Sequence, residues 1–258
     1  MTSHQRLLIA VFEKQFILLK RYWLNTVLML LGVYIMFAMA FFGGQTVGGD
    51  NIDSALDTVV IGFFLFLAAS AAYFDVARSI MQEAQWGTLE QLYMSPFGIG
   101  RVLGVKTIFN VVVSTGLAIG LLGLMLVTTG RSLAIDVVTI VPLLVITILP
   151  AVGIGYFVAG LSLLYKRIEN VQQLLQFGFV GLIAAPGVVQ GPILALLPLS
   201  YGSDLLTRAM IDGTRLWEFS PVELTALVAS SLAYLAVGYV IFGWFVGKTR
   251  ERGIMGHY

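Results

Sequence analysis

Cysteine is absent from this 258-residue chain, and histidine occurs only as His4 and His257. The first absence excludes disulfides, thiolate metal sites and cysteine nucleophiles. The second leaves no interior imidazole to serve as a base or a metal ligand. Charge is scarce too: Asp, Glu, Lys and Arg make up 11% of the residues, against about 25% in soluble domains. A soluble fold of this size needs a charged shell, and these residues are too few to build one. No Asn-x-Ser/Thr glycosylation acceptor occurs. Without an interior histidine or a positioned lysine as base, Ser162 and the other scattered serines make no hydrolase site.

What the chain has is apolar length. Apolar residues are 58% of the total, and several runs approach or exceed the ~20 residues that cross a bilayer. Six spans are predicted, at about 24–43, 57–76, 102–128, 135–164, 172–199 and 222–246. The expected fold is an all-α integral membrane protein: an amphipathic interfacial helix over 1–23, then a six-span transmembrane domain over 24–258. Gly43-Gly44 and Gly48-Gly49-Asp50 read as the break after the first span. The fifth span carries Pro186, Gly187, Gly191, Pro192 and Pro198 and is expected to be broken or re-entrant. Such irregular backbone is tolerated at membrane depth only where neighbours or water satisfy it. Ala38-Met39-Ala40 resembles a signal cleavage site, but its apolar run begins near Leu24 and continues to Phe42, so the first span is expected to stay.

Positively charged loops stay cytoplasmic. With the N-terminus inside, the cytoplasmic segments hold Arg6, Lys14, Lys20, Arg21, Arg78, Arg101, Lys106, Lys166, Arg167, Lys248, Arg250 and Arg252. The other face receives only Arg131, Arg208 and Arg215. Acidic residues lean the opposite way, with Asp50, Asp53, Asp57, Asp136, Asp204, Asp212, Glu218 and Glu223 outside. Six spans in a cell membrane with both termini cytoplasmic is the self-consistent reading. Before the first span, Arg6, Glu13, Lys14, Lys20 and Arg21 recur on one face, and Leu8, Val11, Phe12, Phe16 and Leu19 share the other. Such a helix lies in the headgroup layer, in contact with membrane lipid. It serves as an anchor, as a surface element that transmits motion from a cytoplasmic partner, or as both.

The stretch from Gln82 to Pro96, within the cytoplasmic loop 77–101, is too polar to span and too patterned for a slack linker. Trp86, Leu89 and Tyr93 fall at i, i+3 and i+7, which gives a short helix an aromatic-rich face. Pro96 ends it, and Ser95 before the proline is predicted to be extended. That face needs a cover, either the membrane surface, where Trp and Tyr are common, or the groove of a partner.

Glu83-x-x-x-Gly87-Thr88-Leu89-Glu90 followed by Ser95-Pro96 resembles the signature loop of the permeases of ABC type-2 exporters. Arg101 to Lys106 is similar to that family's segment entering the third span. Leu164-Tyr165-Lys166-Arg167 is similar to its second cytoplasmic turn. Leu197-Pro198-Leu199-Ser200-Tyr201, with Asp204 and Arg208, resembles its short outer helix. Gln82-Glu83-Ala84-Gln85 is less acidic than in many members. The resemblance implies a coupling helix, built from Glu83, Trp86, Gly87, Thr88, Leu89, Glu90 and Tyr93, that docks into a cleft on a cytoplasmic ATP-binding-cassette subunit. It implies secondary contacts from Lys166 and Arg167, two copies of that ATPase carrying ATP and Mg, a second permease copy completing a homodimer, and outward transport.

No nucleotide site is expected in this chain, which is then no enzyme and holds no cofactor, and no nucleic-acid partner is expected. Gly243 to Thr249 mimics a phosphate-binding loop but is one residue short and carries Trp244 and Phe245, so it reads as a helix end with a snorkelling Lys248. Charges within spans are nearly lacking, with Asp57, Asp75 and Asp136 near span ends, which counts against ion-coupled transport. Gln173, Gln176 and Gln190 are the polar candidates for lining a pathway, or else are satisfied within the bundle or lie in loops. Gly116-x-x-x-Gly120, with Gly123, allows close helix approach inside one subunit or at a dimer seam. The alternatives to a permease are a membrane scaffold or assembly factor without transport, and a channel or secondary carrier that works alone.

Overall fold

The computed structural model describes residues 3–48, 53–165, 168–189, 191 and 193–251. These contain nine α-helices and no strand. They are α1 (Ser3–Arg21), α2 (Trp23–Gly48), α3 (Asp53–Gln85), α4 (Leu89–Met94), α5 (Gly98–Thr129), α6 (Val137–Leu164), α7 (Glu169–Ala184), α8 (Ser200–Ile211) and α9 (Pro221–Glu251). Five helical stretches are long and apolar enough to cross a membrane: Trp23–Val47, Asp53–Glu83, Gly98–Thr129, Val137–Leu164 and Pro221–Thr249. The chain is therefore an all-helical, multi-pass membrane protein.

Four predicted spans match these stretches closely, and the second is much longer than its apolar run. α3 continues from residue 76 to Gln85 because Ala77, Arg78, Met81, Gln82 and Glu83 are good helix formers, though not all apolar. Its 33 residues reach about 50 Å at 1.5 Å each, so it projects beyond a hydrocarbon core of about 30 Å. The expected break at Gly43-Gly44 does not occur there. α2 runs through both glycines to Gly48, since a glycine pair weakens a long apolar helix without ending it.

The predicted fifth segment is broken, as its prolines and glycines require. α7 stops after 16 residues at Ala184 and is followed by 3-10 turns at Ala185–Gly187 and Leu194–Leu196. Two carbonyls of its last turn are satisfied from α8. The Ser200 hydroxyl donates to the Leu182 carbonyl at 2.6 Å, and that of Ser203 donates to Ile183 at 2.9 Å. A helix end within an apolar bundle is stable only with such partners.

α3 and α6 form the centre. Of the best apolar window, 72% is buried in α3, against 17% in each of α2 and α9, so the latter two present most of their surface outward. α6 packs against α9 at backbone contact: a β-carbon at Gly238 would lie 2.0 Å from the Gly153 carbonyl oxygen. Further along, Gly160 of α6 faces Phe245 of α9. Successive contacts rise in number on both helices, so α6 and α9 run parallel. Their starts are tied together, because the Leu216 amide just before α9 donates to the Thr139 hydroxyl at 2.9 Å. The chain between α6 and α9 therefore travels back along the length of α6. α7 makes that return antiparallel to α3, with Phe179 against Tyr73 at 5.2 Å and Ile183 near Gly62. Among the described residues, nothing lies within 4 Å of a β-carbon added at Gly116, Gly120 or Gly123, so no tight helix approach inside the bundle uses this stripe.

Candidate functional site

The turn from α3 to α4 is built from two backbone devices. Gly87 adopts φ +68°, a left-handed conformation that other residues enter at a cost. Around it the Thr88 amide donates back to the Glu83 carbonyl at 2.9 Å, the six-to-one bond of a Schellman helix stop. α4 then runs for six residues, and Ser95 takes φ −58° and ψ 136° ahead of Pro96. The extended Ser95 predicted from the proline is observed.

Glu83 closes this turn from inside. It is 5% exposed and accepts from the Lys14 ammonium at 2.9 Å and from the Thr88 hydroxyl at 2.5 Å. Lys14 also stands 5.6 Å from the centre of the Trp86 ring. The amphipathic helix α1, the end of α3 and the start of α4 are thus joined by one small polar cluster. Phe12 of α1 adds an edge-to-face contact with Phe109 of α5 at 5.2 Å. The apolar face predicted for α1 is divided: Val11 and Phe12 turn to the protein, whereas Leu8 and Phe16 are exposed.

The residues read as a docking helix fall into two sets. Glu83 and Leu89 point inward, Leu89 at 4% exposed, and Thr88 is half-buried with its hydroxyl on Glu83. Trp86, at 45% exposed, faces outward with Gly87, Glu90 and Met94. The Tyr93 side chain lies outside the described residues, as do Lys166, Arg167 and Gln190. Gln173 is exposed on α7, Gln176 is half-buried, and the sequence reading passed over their neighbour Gln172. Gln172 is 1% exposed, donates to the Ala77 carbonyl at 3.5 Å, and accepts through its own carbonyl from the Tyr73 hydroxyl at 3.2 Å. Its register with Phe179 and Ile183, seven and eleven residues on, was the available signal.

Basic residues differ between the two ends of the bundle. Arg131 pairs with Asp53 and Asp57, and Arg208 pairs with Glu223 at 2.7 Å and Asp204 at 3.4 Å. Burial, with a further push from Glu223, holds the Asp204 carboxyl above its ordinary value despite Arg208. At the other end Arg78 stacks over Phe74, and Lys248 lies 4.5 Å from the Trp244 ring. The stretch from Gly243 to Thr249 is continuous helix within α9, so its backbone amides are committed to the helix. No protein-family model, curated protein or solved structure matches the chain.

Proposed function

We propose that this chain is the membrane-spanning permease subunit of an ATP-binding-cassette exporter, driven through its α3–α4 turn by a separate cytoplasmic ATPase. The observation that carries the reading is the stiffness of that turn combined with its outward face. The Schellman stop and the Lys14–Glu83–Thr88 cluster tie the start of α4 to the end of α3 and, through Glu83, to α1. Trp86, Glu90 and Met94 are left uncovered beside this brace. A short rigid element on the end of a 33-residue helix passes a partner's displacement into the bundle, whereas a slack loop would absorb it. Lys14 would bring α1 into the same movement, so that anchoring and transmission are one role.

In the proposed topology the return of the chain through α7 is the sixth crossing. Its 16 residues reach about 24 Å, and the turns after it complete a path of about 30 Å. Six crossings place the α1 end, the α4 turn and the α9 end on one side, and the positive-inside rule makes that side cytoplasmic. The exposed faces of α2 and α7 are then available to a second permease copy in a cell membrane, with the pathway between the two bundles. ATP and Mg would belong to the partner, present in two copies.

The test is capture of the tagged chain from its native membrane and identification of what comes with it. An ATP-binding-cassette subunit that is lost when Trp86→Ala and Glu90→Lys are combined is the expected result. ATP-independent transport by the purified chain would favour a channel or carrier, and a captured partner without transport in vesicles would favour a scaffold. Either outcome defeats the proposal.

A further inference from the structure

Beneath α1 a cavity of about 370 Å³ opens between α1, α3 and α5. Asp75 lines it from α3, Lys106 and Asn110 from α5, and Gln15 from α1. Lys106 is 9% exposed, Asn110 5% and Gln15 9%, so three polar side chains are buried around a single space. The Asn110 amide nitrogen has no hydrogen-bond partner, which a buried donor rarely tolerates. Neither hydrogen bond nor ion pair joins Lys106 to Asp75, and Glu83, the other nearby carboxylate, is already held by Lys14 and Thr88. An ammonium, an unused amide donor and a carboxylate thus face a common cavity.

We propose that this cavity binds the headgroup of a membrane phospholipid bearing a primary ammonium, of the phosphoethanolamine type. Lys106 and Asn110 supply two donors for the phosphate oxygens, and Asp75 accepts from the ammonium. The depth suits a lipid. Asp75 lies ten residues before the end of α3 and Lys106 eight after the start of α5, about 15 and 12 Å along their helices. Both helix ends project toward the turn, so the cavity sits near the level of the headgroups. Tyr22 and Trp86 line its rim, and Leu18, Phe109 and Val113 offer apolar surface for the glycerol and first acyl carbons. A choline headgroup fits less well. It has no N–H for Asp75, and the Trp86 face that would attract a quaternary ammonium already meets Lys14 at 5.6 Å.

The experiment uses the purified full chain alone, without any ATPase, so its outcome is independent of the docking proposal. The chain in detergent is offered equal ethanolamine and choline phospholipid of matched acyl chains, and retained lipid is counted by native mass spectrometry. The wild type is expected to retain ethanolamine lipid preferentially. Asp75→Asn should reduce that preference about tenfold, the loss expected for one charge-assisted hydrogen bond. Lys106→Gln should weaken both lipids. Should a variant fail to fold, the wild type is offered headgroups carrying one, two and three N-methyl groups, and retention should fall as N–H groups are removed. Equal retention across that series would overturn the proposal, as would an unchanged preference in folded Asp75→Asn. Complete displacement by soluble glycerophosphoethanolamine would overturn the membrane source, and resistance to it is the expected result.

Discussion

Glu83 sits at the join of three helices, and its two bonds define what substitution there should do. Removing Lys14 as Lys14→Met leaves the buried carboxylate with Thr88 as its remaining side-chain donor, at a cost of about 1–3 kcal/mol. The expected consequence is local: amides of α4 should exchange with solvent faster, while those in the middle of α6 keep their protection. Uniform loss of protection would mean that the cluster supports the whole bundle instead. Gly238 gives a contrasting case. A side chain there meets the Gly153 carbonyl oxygen at 2.0 Å, whereas Gly120 has nothing within 4 Å. Gly238→Val should therefore destabilise by about 3 kcal/mol, the upper end of what overpacking costs, and Gly120→Ala should leave the thermal unfolding midpoint in detergent nearly unchanged. Neither difference is visible in the sequence, where both glycines lie in apolar runs, because what separates them is a neighbouring helix.

Among the elements, the end of α4 was legible because its signal is local: Pro96 forces Ser95 into an extended conformation. The single helix expected from the spacing of Trp86, Leu89 and Tyr93 is instead broken at Gly87, so that Trp86 follows the end of α3 and α4 begins only at Leu89. Which residues of that turn face outward was not legible, since Glu83 and Lys14 are 69 residues apart in sequence. The spans were readable from apolar length, but their true extent was not, as the projection of α3 shows. The prolines and glycines of the fifth segment announced a break. What stabilises the broken end, the hydroxyls of Ser200 and Ser203, depends on α8 folding back. The double substitution Ser200→Ala, Ser203→Ala should remove the side-chain donor of the Ile183 carbonyl and leave Leu182 with the Ala185 amide alone, destabilising by about 1–3 kcal/mol. Thermal scans would detect this, and a midpoint unchanged from wild type would show that water replaces the serines.

For the whole molecule, the parallel course of α6 and α9 is the fact that organises the topology. Two parallel spans require the chain between them to come back, and α7 is the element placed to do so. The absence of cysteine makes this easy to examine by single-cysteine labelling. Cysteine at Tyr165 should react with an impermeant reagent from the same side as cysteine at Gln91, and cysteine at Asp212 from the other, together with Ser132. Labelling of Tyr165 and Asp212 from one side would remove the sixth crossing and place the termini on opposite faces. The uneven distribution of Lys and Arg argues for the first result. Its outer members Arg131 and Arg208 are neutralised by local carboxylates, which leaves the basic excess at the α4 end.

The central claim is that the outward face of the α4 turn meets an ATPase rather than the lipid surface. A photo-crosslinking amino acid in place of Glu90, activated in native membranes, tests this at the residue concerned. A single adduct with an ATP-binding-cassette subunit, absent when the same probe replaces Ser132 at the other end of the bundle, is the predicted outcome. Adducts with lipid alone at position 90 would contradict it and reduce the turn to a membrane anchor.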